Sequence, residues 1–197
     1  MTPPPVDRPR IEAAVSEILA AIGEDASRPG LESTPRRVAE AYAEFFAGLD
    51  VDAVELVRSS AVPSGPGQLG ELVIVRGVSF RSVCEHHLLP FLGTAHVAYV
   101  PSDRIVGLGT VPRVVDALAS RPQLQERLGE EIADAFVTGL APAGVLVVLD
   151  AVHGCVTTRG PRQVGSSTVT LASRGALADP VARAEAIALV GTGDGDA

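Results

Sequence analysis

ELVIVRGVSFRSVCEHHLLPFLGTAHVAYV, residues 71–100, is the stretch on which the fold turns. Its first part carries the β-rich run Leu72-Val73-Ile74-Val75 followed by Val78 and Phe80, and its last part, Phe91 to Val100, again has strand composition. Between them stands Cys84-Glu85-His86-His87-Leu88-Leu89-Pro90, where the proline interrupts any ladder. The pattern predicts two pairing strands, with a turn between them that carries cysteine and histidine.

About seventy residues further on comes His153-Gly154-Cys155, so the two segments hold both cysteines and three of the four histidines. Thiolate and imidazole together suit zinc better than magnesium or calcium. Cys84 and His87, three apart, can bend around one ion in a turn, and Cys155 can supply a third ligand. Three protein ligands leave a position for water, whereas a structural zinc is closed by four. Either His86 or His153 could be that fourth ligand. If both stay off the metal, their unperturbed pKa near 6.5 suits them to move protons to and from a substrate. The plainest alternative is a pair of ordinary buried thiols. His96, alternating within the second strand, reads as a satisfied sheet histidine.

Upstream, Ile11, Ala14, Val15, Ile18, Leu19 and Ile22 recur at helical spacing and Gly23 supplies a stop. Thr34-Pro35 has the form of an N-cap followed by proline at the first helical position, and predicts a second helix running through Val38, Ala41, Phe45 and Leu49. Ser59 to Gly70, with Pro63-Ser64-Gly65-Pro66-Gly67 at its centre, reads as a loop. Downstream, Thr110 is the expected cap of a helix carrying Val111, Val114, Val115 and Leu118, and a further helix is expected from Gln123 to Leu140. Ala143 to Cys155 reads as a buried strand. If it stays extended, His153 and Cys155 project from the same face. Val164 to Ser173 forms a last strand, and Asp179-Pro180 opens a final helix ending near Val190.

Strand pairs separated by a helical block predict an α+β fold, an antiparallel sheet with helices packed on one face and further helices ahead of it. No internal repeat is present. The expected organisation is a disordered tail over 1–9, a single domain over 10–190 and a second disordered tail over 191–197.

With 197 residues and 46% hydrophobic content, the chain can bury a proper core without staples. A formal net charge of −8 argues against a nucleic-acid groove, and any anionic ligand must be held by a few local arginines. The opening Met1-Thr2-Pro3-Pro4-Pro5 lacks the pattern of a secretory signal and no later run reaches transmembrane length, which predicts a soluble cytoplasmic protein with no membrane partner. Two cysteines in such a chain point to metal binding or catalysis rather than a disulfide framework.

At these residues the sequence resembles the GTP cyclohydrolase I family. Ser82 to Phe91 is similar to that family's zinc and catalytic segment, Gln123-Leu124-Gln125-Glu126-Arg127-Leu128 to its purine-recognition helix, and His153-Gly154-Cys155 through Arg159-Gly160 to its second zinc segment. The resemblance extends from about Arg10 to Val190 and includes Thr34 to Ala39. It implies a tunnelling fold whose subunits close into an oligomeric barrel, a homodecamer of two pentameric rings with active sites between subunits. It also implies that Cys84, His87 and Cys155 hold Zn2+, and that water acidified there attacks C8 of the guanine ring of GTP. His153 then protonates the ring nitrogen, and His86 assists ribose opening and rearrangement. Formate leaves, and closure gives 7,8-dihydroneopterin triphosphate for pterin and tetrahydrofolate biosynthesis. Glu126, with Gln125 beside it, is implied to anchor guanine, because a carboxylate accepts from N1–H and the exocyclic amine and so rejects adenine.

The chain departs from the family pattern around the triphosphate. Leu108-Gly109-Thr110 stands where Leu-Ser-Lys is usual, Glu40 where a lysine is common, and Gln163 where another lysine is common, whereas Arg37, Arg113 and Arg159 remain. Charge-assisted contacts contribute roughly 1.5–3 kcal/mol each, so the loss of cations bears on affinity for a triphosphate. Arg36, Arg121 or Arg162 could compensate, and Glu40 could simply pair with Arg36 or Arg37. Two other functions follow as alternatives. One is the same ring opening on a less phosphorylated guanine nucleotide or nucleoside. The other is a non-catalytic ring protein that uses zinc structurally to bind nucleotide or partners.

Overall fold

The computed structural model describes residues 6–65 and 70–191. The segments 1–5 and 192–197 of the two expected tails, and 66–69 of the expected loop, lie outside the described residues. The first helix, α1 (Arg8–Ala21), starts two residues inside the segment expected to be disordered, because the Asp7 carboxylate accepts the Arg10 N–H at 3.1 Å and caps it. In α2 (Thr34–Phe45) and the later α4 (Thr110–Ala119) the threonines expected as caps are the first helical residues, and Ser33 and Gly109 take the cap positions.

Several short elements were not foreseen from the sequence. Asp52 accepts the Glu55 N–H at 3.0 Å and starts α3 (Ala53–Ser60). The chain from Ala61 is not wholly loop, since β1 (Ala61–Pro63) pairs antiparallel with β4 (Arg104–Val106) and the Arg104 guanidinium donates to the Ala61 carbonyl at 2.9 Å.

The main sheet contains β2 (Val73–Cys84), β3 (Pro90–Val100), β5 (Pro122–Gln123), β6 (Gly144–His153) and β7 (Thr168–Gly175), in the order β5-β2-β3-β6-β7. The β2-β3-β6-β7 pairs are antiparallel, and the two-residue β5 lies parallel to the end of β2. Gly77, at φ +70°, accommodates a bulge between Val75 and Val78, where the ladder of β2 on β3 shifts register.

One face of the sheet presents Phe91, Ala95, Val97 and Tyr99 of β3 and Val145, Val147, Leu149 and Ala151 of β6. Against it pack Val111, Val114, Val115 and Leu118 of α4, and Leu128, Ile132, Phe136 and Leu140 of α5 (Gln125–Leu140). The α+β class is as expected, but helices do not lie on one face only. The alternate residues Ala98, Leu146 and Val148 pack with Leu177, in a short 3-10 turn (Ala176–Ala178), and with Ala186 of the last helix (Pro180–Gly191). A strand apolar on both sides, as Val145 to Leu149 of β6 is, needs cover on both. That second cover is partial, for Leu92, Val152, Val169 and Leu171 remain exposed. No helix among the described residues is long and apolar enough to cross a membrane.

Candidate metal centre and active site

The β2-β3 connection is a tight wrap. The Cys84 N–H donates to the Leu89 carbonyl and the Leu88 N–H to the Cys84 carbonyl, both at 2.9 Å, and Leu88 takes a left-handed φ of 52°. This closes the Cys84–Leu88 turn and brings His87 back over Cys84. On the other side the chain leaves β6 at His153 and coils at once into a short helical turn, α6 (Gly154–Thr157). Cys155 therefore sits on this coil and not on an extended strand, so strand alternation does not place it. The coil does, carrying its sulfur to the end of β2.

The outcome is a cluster of Cys84 Sγ, a His87 ring nitrogen and Cys155 Sγ, all within 4.8 Å of one another. Ligands at zinc–sulfur distance around a tetrahedron stand about 3.8 Å apart, so the set can close on the ion with small side-chain movements. Cys84 is buried, Cys155 half-buried and His87 exposed, which leaves one side open. Burial first, and then the adjacent Cys84, holds the Cys155 thiol above its ordinary pKa, with Arg159 opposing. Two thiolates so close together are best neutralised by a cation, and the donor set fits zinc.

Gly154 is tightly fitted. A Cβ there would lie 2.8 Å from the Pro90 carbonyl oxygen, between the two strands that bring the ligands together. Gly154→Ala should force them apart, at a cost of about 1–3 kcal/mol. A lowered thermal midpoint together with faster loss of zinc to a chelator would bear this out, and an unchanged zinc off-rate would refute it.

Neither His86 nor His153 belongs to the cluster. The His86 ring stands edge-on to His87 at 6.3 Å. His153 is stacked flat on Phe91, its cross-strand partner, with centroids 4.7 Å apart and planes at 6°. Its Nε2 lies 2.7 Å from Gln125 Oε1. The Gln125 amide nitrogen donates to the Leu149 carbonyl (3.1 Å), the Thr168 carbonyl (2.7 Å) and Thr170 Oγ1 (3.2 Å), which settles which end of the amide faces the ring. An amide oxygen only accepts, so His153 carries its proton on Nε2 and its Nδ1 is the nitrogen left for exchange. Burial holds the His153 pKa below its ordinary value, and the nearby Glu126 carboxylate opposes that shift.

Gln125 thus differs from its expected place beside a purine. Its side chain is 1% exposed and its amide hydrogens are already shared among three acceptors. The sequence held a usable signal, an amide at the start of an amphipathic helix facing a strand of apolar residues. Glu126, in the first turn of α5, is exposed.

The arginines are dispersed. Arg159 is close enough to act on Cys155. Arg113 lines a separate cleft of about 220 Å3 with Ala47, Gly48 and Asp116, and Arg37 is exposed on α2. Glu40 pairs with Arg36 at 2.6 Å. Arg121 donates to the carbonyls of Gly48 (3.0 Å) and Val51 (2.8 Å), so it pins the chain after α2 and is not a spare cation. Arg162 lies in the exposed segment after α6 with a φ of 53°. His96 Nδ1 accepts from the Gly77 N–H at 3.4 Å, in keeping with its reading as a sheet histidine. A cavity of about 620 Å3 on the open face, lined by Arg76, Thr94, His96 and Asp150 among others, holds none of the candidate site residues.

Comparison with known proteins gives a consistent result. The family model described as GTP cyclohydrolase I matches residues 11–191. GTP cyclohydrolase 1 of Leifsonia xyli subsp. xyli is 66% identical over 187 residues, covering 95% of this chain and 97% of that protein. GTP cyclohydrolase 1 of Carboxydothermus hydrogenoformans is 51% identical over 188 residues, covering 94% and 96%. Among solved structures, the apo form of the archaeosine synthase QueF-Like matches with a TM-score of 0.45 and 19% identity over 57% of this chain and 97% of that one, a likeness too distant to carry weight.

Proposed function

This chain belongs to the GTP cyclohydrolase I family, and from that premise we propose that it hydrolyses the guanine ring of GTP at C8, releasing formate and forming 7,8-dihydroneopterin triphosphate. The observation that carries this reading is the three-ligand cluster of Cys84, His87 and Cys155 with two histidines beside it and outside it. A closed structural site would have used one of those histidines. When bound, zinc supplies Lewis acidity that brings the pKa of water near 7, so a nucleophile is available at neutral pH.

The chain's own residues do the rest. His153, flat against Phe91 and held through Nε2, offers Nδ1 to protonate the ring nitrogen as the C8 bond breaks. His86 serves the opening and rearrangement of the ribose. The exposed Glu126 accepts from guanine N1–H and the 2-amino group, which adenine cannot match. Arg159 draws the phosphates towards the metal side, and Arg37 and Arg113 complete their binding. In one chain Arg113 faces a cleft of its own, which is the arrangement expected if the triphosphate site is finished by a neighbouring copy.

Assembly as a homodecamer of two pentameric rings forming a barrel, the tunnelling arrangement, accounts for the sheet. β7 ends the sheet on one side, and on the other the two-residue β5 covers only Val83 and Cys84 of β2. Ring closure satisfies such edges and also covers Leu92, Val152, Val169 and Leu171. We take residues 10–190 as one domain, and the need for two reduced cysteines suits the cytoplasm.

The test is formate release by the zinc-loaded protein with GTP, GDP, GMP and guanosine. GTP should exceed GMP in kcat/KM by at least tenfold, since each lost charge-assisted contact removes about 1.5–3 kcal/mol. A preference for GMP or guanosine would establish the second reading, which the pairing of Arg36 with Glu40 favours by removing a cation. No formate from any of them would leave only a zinc-containing binding protein.

A further inference from the structure

Beside the metal turn lies a ring of polar contacts that the chemistry above leaves unused. Gln123, 1% exposed, holds that turn by main chain and side chain alike. Its carbonyl accepts the Glu85 N–H at 3.0 Å, and its residue pairs with Cys84 in the parallel bridge of β5 on β2. Its amide nitrogen donates to the Leu118 carbonyl at 3.1 Å and to Glu131 at 2.8 Å, and its amide oxygen accepts Arg127 Nε at 3.0 Å. Arg127 then reaches through Nη2 to the Glu85 carboxylate. The ring is closed: Glu85 main chain to Gln123, Gln123 to Arg127, Arg127 to the Glu85 side chain.

What the ring joins is informative. Glu85 stands between Cys84 and the two histidines of the turn, while Arg127 stands in the first turn of α5 directly after Gln125 and Glu126. We propose that Arg127 is a positioning residue that, through Glu85 and Gln123, holds the turn bearing Cys84 and His87 at a set span from the α5 terminus bearing Gln125 and Glu126. The proposal rests on the zinc and guanine assignments above and extends them to a residue that touches neither. The parallel bridge of β5 on β2 that also joins the two halves is only two residues long. An ion pair as exposed as Arg127–Glu85 contributes little to overall stability, so its effect is sought in placement.

The experiment compares wild type, Arg127→Met, Arg127→Lys and Glu85→Gln in four readouts. These are zinc affinity by chelator competition, the visible absorption of the Co2+-substituted protein, the split between kcat and KM, and the thermal midpoint. Arg127→Met should weaken zinc binding about tenfold, the lower end of what losing support around a metal site does, and alter the Co2+ bands. It should lower kcat by a similar factor with little change in KM, and lower the thermal midpoint as well, because the buried Gln123 amide oxygen loses its Arg127 donor. Arg127→Lys should recover part of each loss. Glu85→Gln removes the same ion pair from the other side while keeping the Arg127–Gln123 bond, so it should reproduce the losses in zinc affinity and kcat with the thermal midpoint nearly unmoved, which keeps the test decisive should the methionine variant fold poorly. Unchanged zinc affinity and Co2+ bands would overturn the proposal whatever happens to turnover. A rise in KM alone would overturn it by making Arg127 a substrate contact. A wild-type protein that takes up no zinc would overturn the functional reading as well, and is seen before any variant is made.

Discussion

Cys155→Ala should abolish zinc retention and formate release together and leave the fold in place. The cysteine is half-buried on a four-residue coil at the rim of the sheet, whereas the core is built from β3, β6, α4 and α5. Removing its sulfur takes away one of three ligands and leaves Cys84 and His87, a pair that cannot hold zinc against a chelator. Without the ion, water loses the acidification the metal supplies, and turnover should fall by more than about a thousandfold. Metal content by atomic emission, formate release and thermal unfolding of the same sample decide it. Formate release persisting at a tenth of wild type would mean that the cluster is not the catalytic centre, and loss of the fold would mean that the zinc is structural.

The centre was legible in the sequence because its parts are compressed into two short segments, and a turn rich in metal-capable residues between two strands has few other uses. The elements that carry a strong period, such as β3 and the Leu128-Ile132-Phe136-Leu140 stripe of α5, were legible for the same reason. Several features were not. α3 is only eight residues long and is announced chiefly by Asp52, while the prolines and glycines after Ser60 drew that stretch towards a loop reading. The C-terminal helix was expected on the same face as the others, because periodicity says that a helix has an apolar stripe and not which sheet face receives it. Cys155 was placed by strand alternation, yet Gly154 lets the chain coil against the Pro90 carbonyl, and that close approach is a tertiary fact. Gln125 went astray for a related reason. An amide next to a carboxylate reads as part of a ligand-binding pair until one sees that it is buried and facing β6 and β7.

That burial makes Gln125 the site of the second large effect. Gln125→Leu keeps the volume and removes every polar contact, leaving His153 Nε2 without its acceptor and the Thr168 carbonyl without its donor. The stability loss should be about 1–3 kcal/mol, the cost of unsatisfied buried groups. The loss in kcat should be larger, about a hundred- to a thousandfold, because an imidazole free to exchange tautomers no longer keeps its proton-transferring nitrogen towards the substrate. KM should change little, since the side chain offers no amide hydrogen to a ligand. Gln125→Glu separates orientation from mere packing. A carboxylate still accepts from Nε2 and adds a negative charge beside the ring, so the His153 pKa, held down by burial in the wild type, moves up. If protonated His153 is the acid, the alkaline limb of the kcat profile should move to higher pH, with partial activity where the leucine variant has almost none. The 15N resonances of His153 should show the Nε2–H tautomer in the neutral wild type and a mixture in Gln125→Leu. A KM that rises in both variants with an unmoved pH profile would return Gln125 to the purine pocket, and the orienting role would be lost.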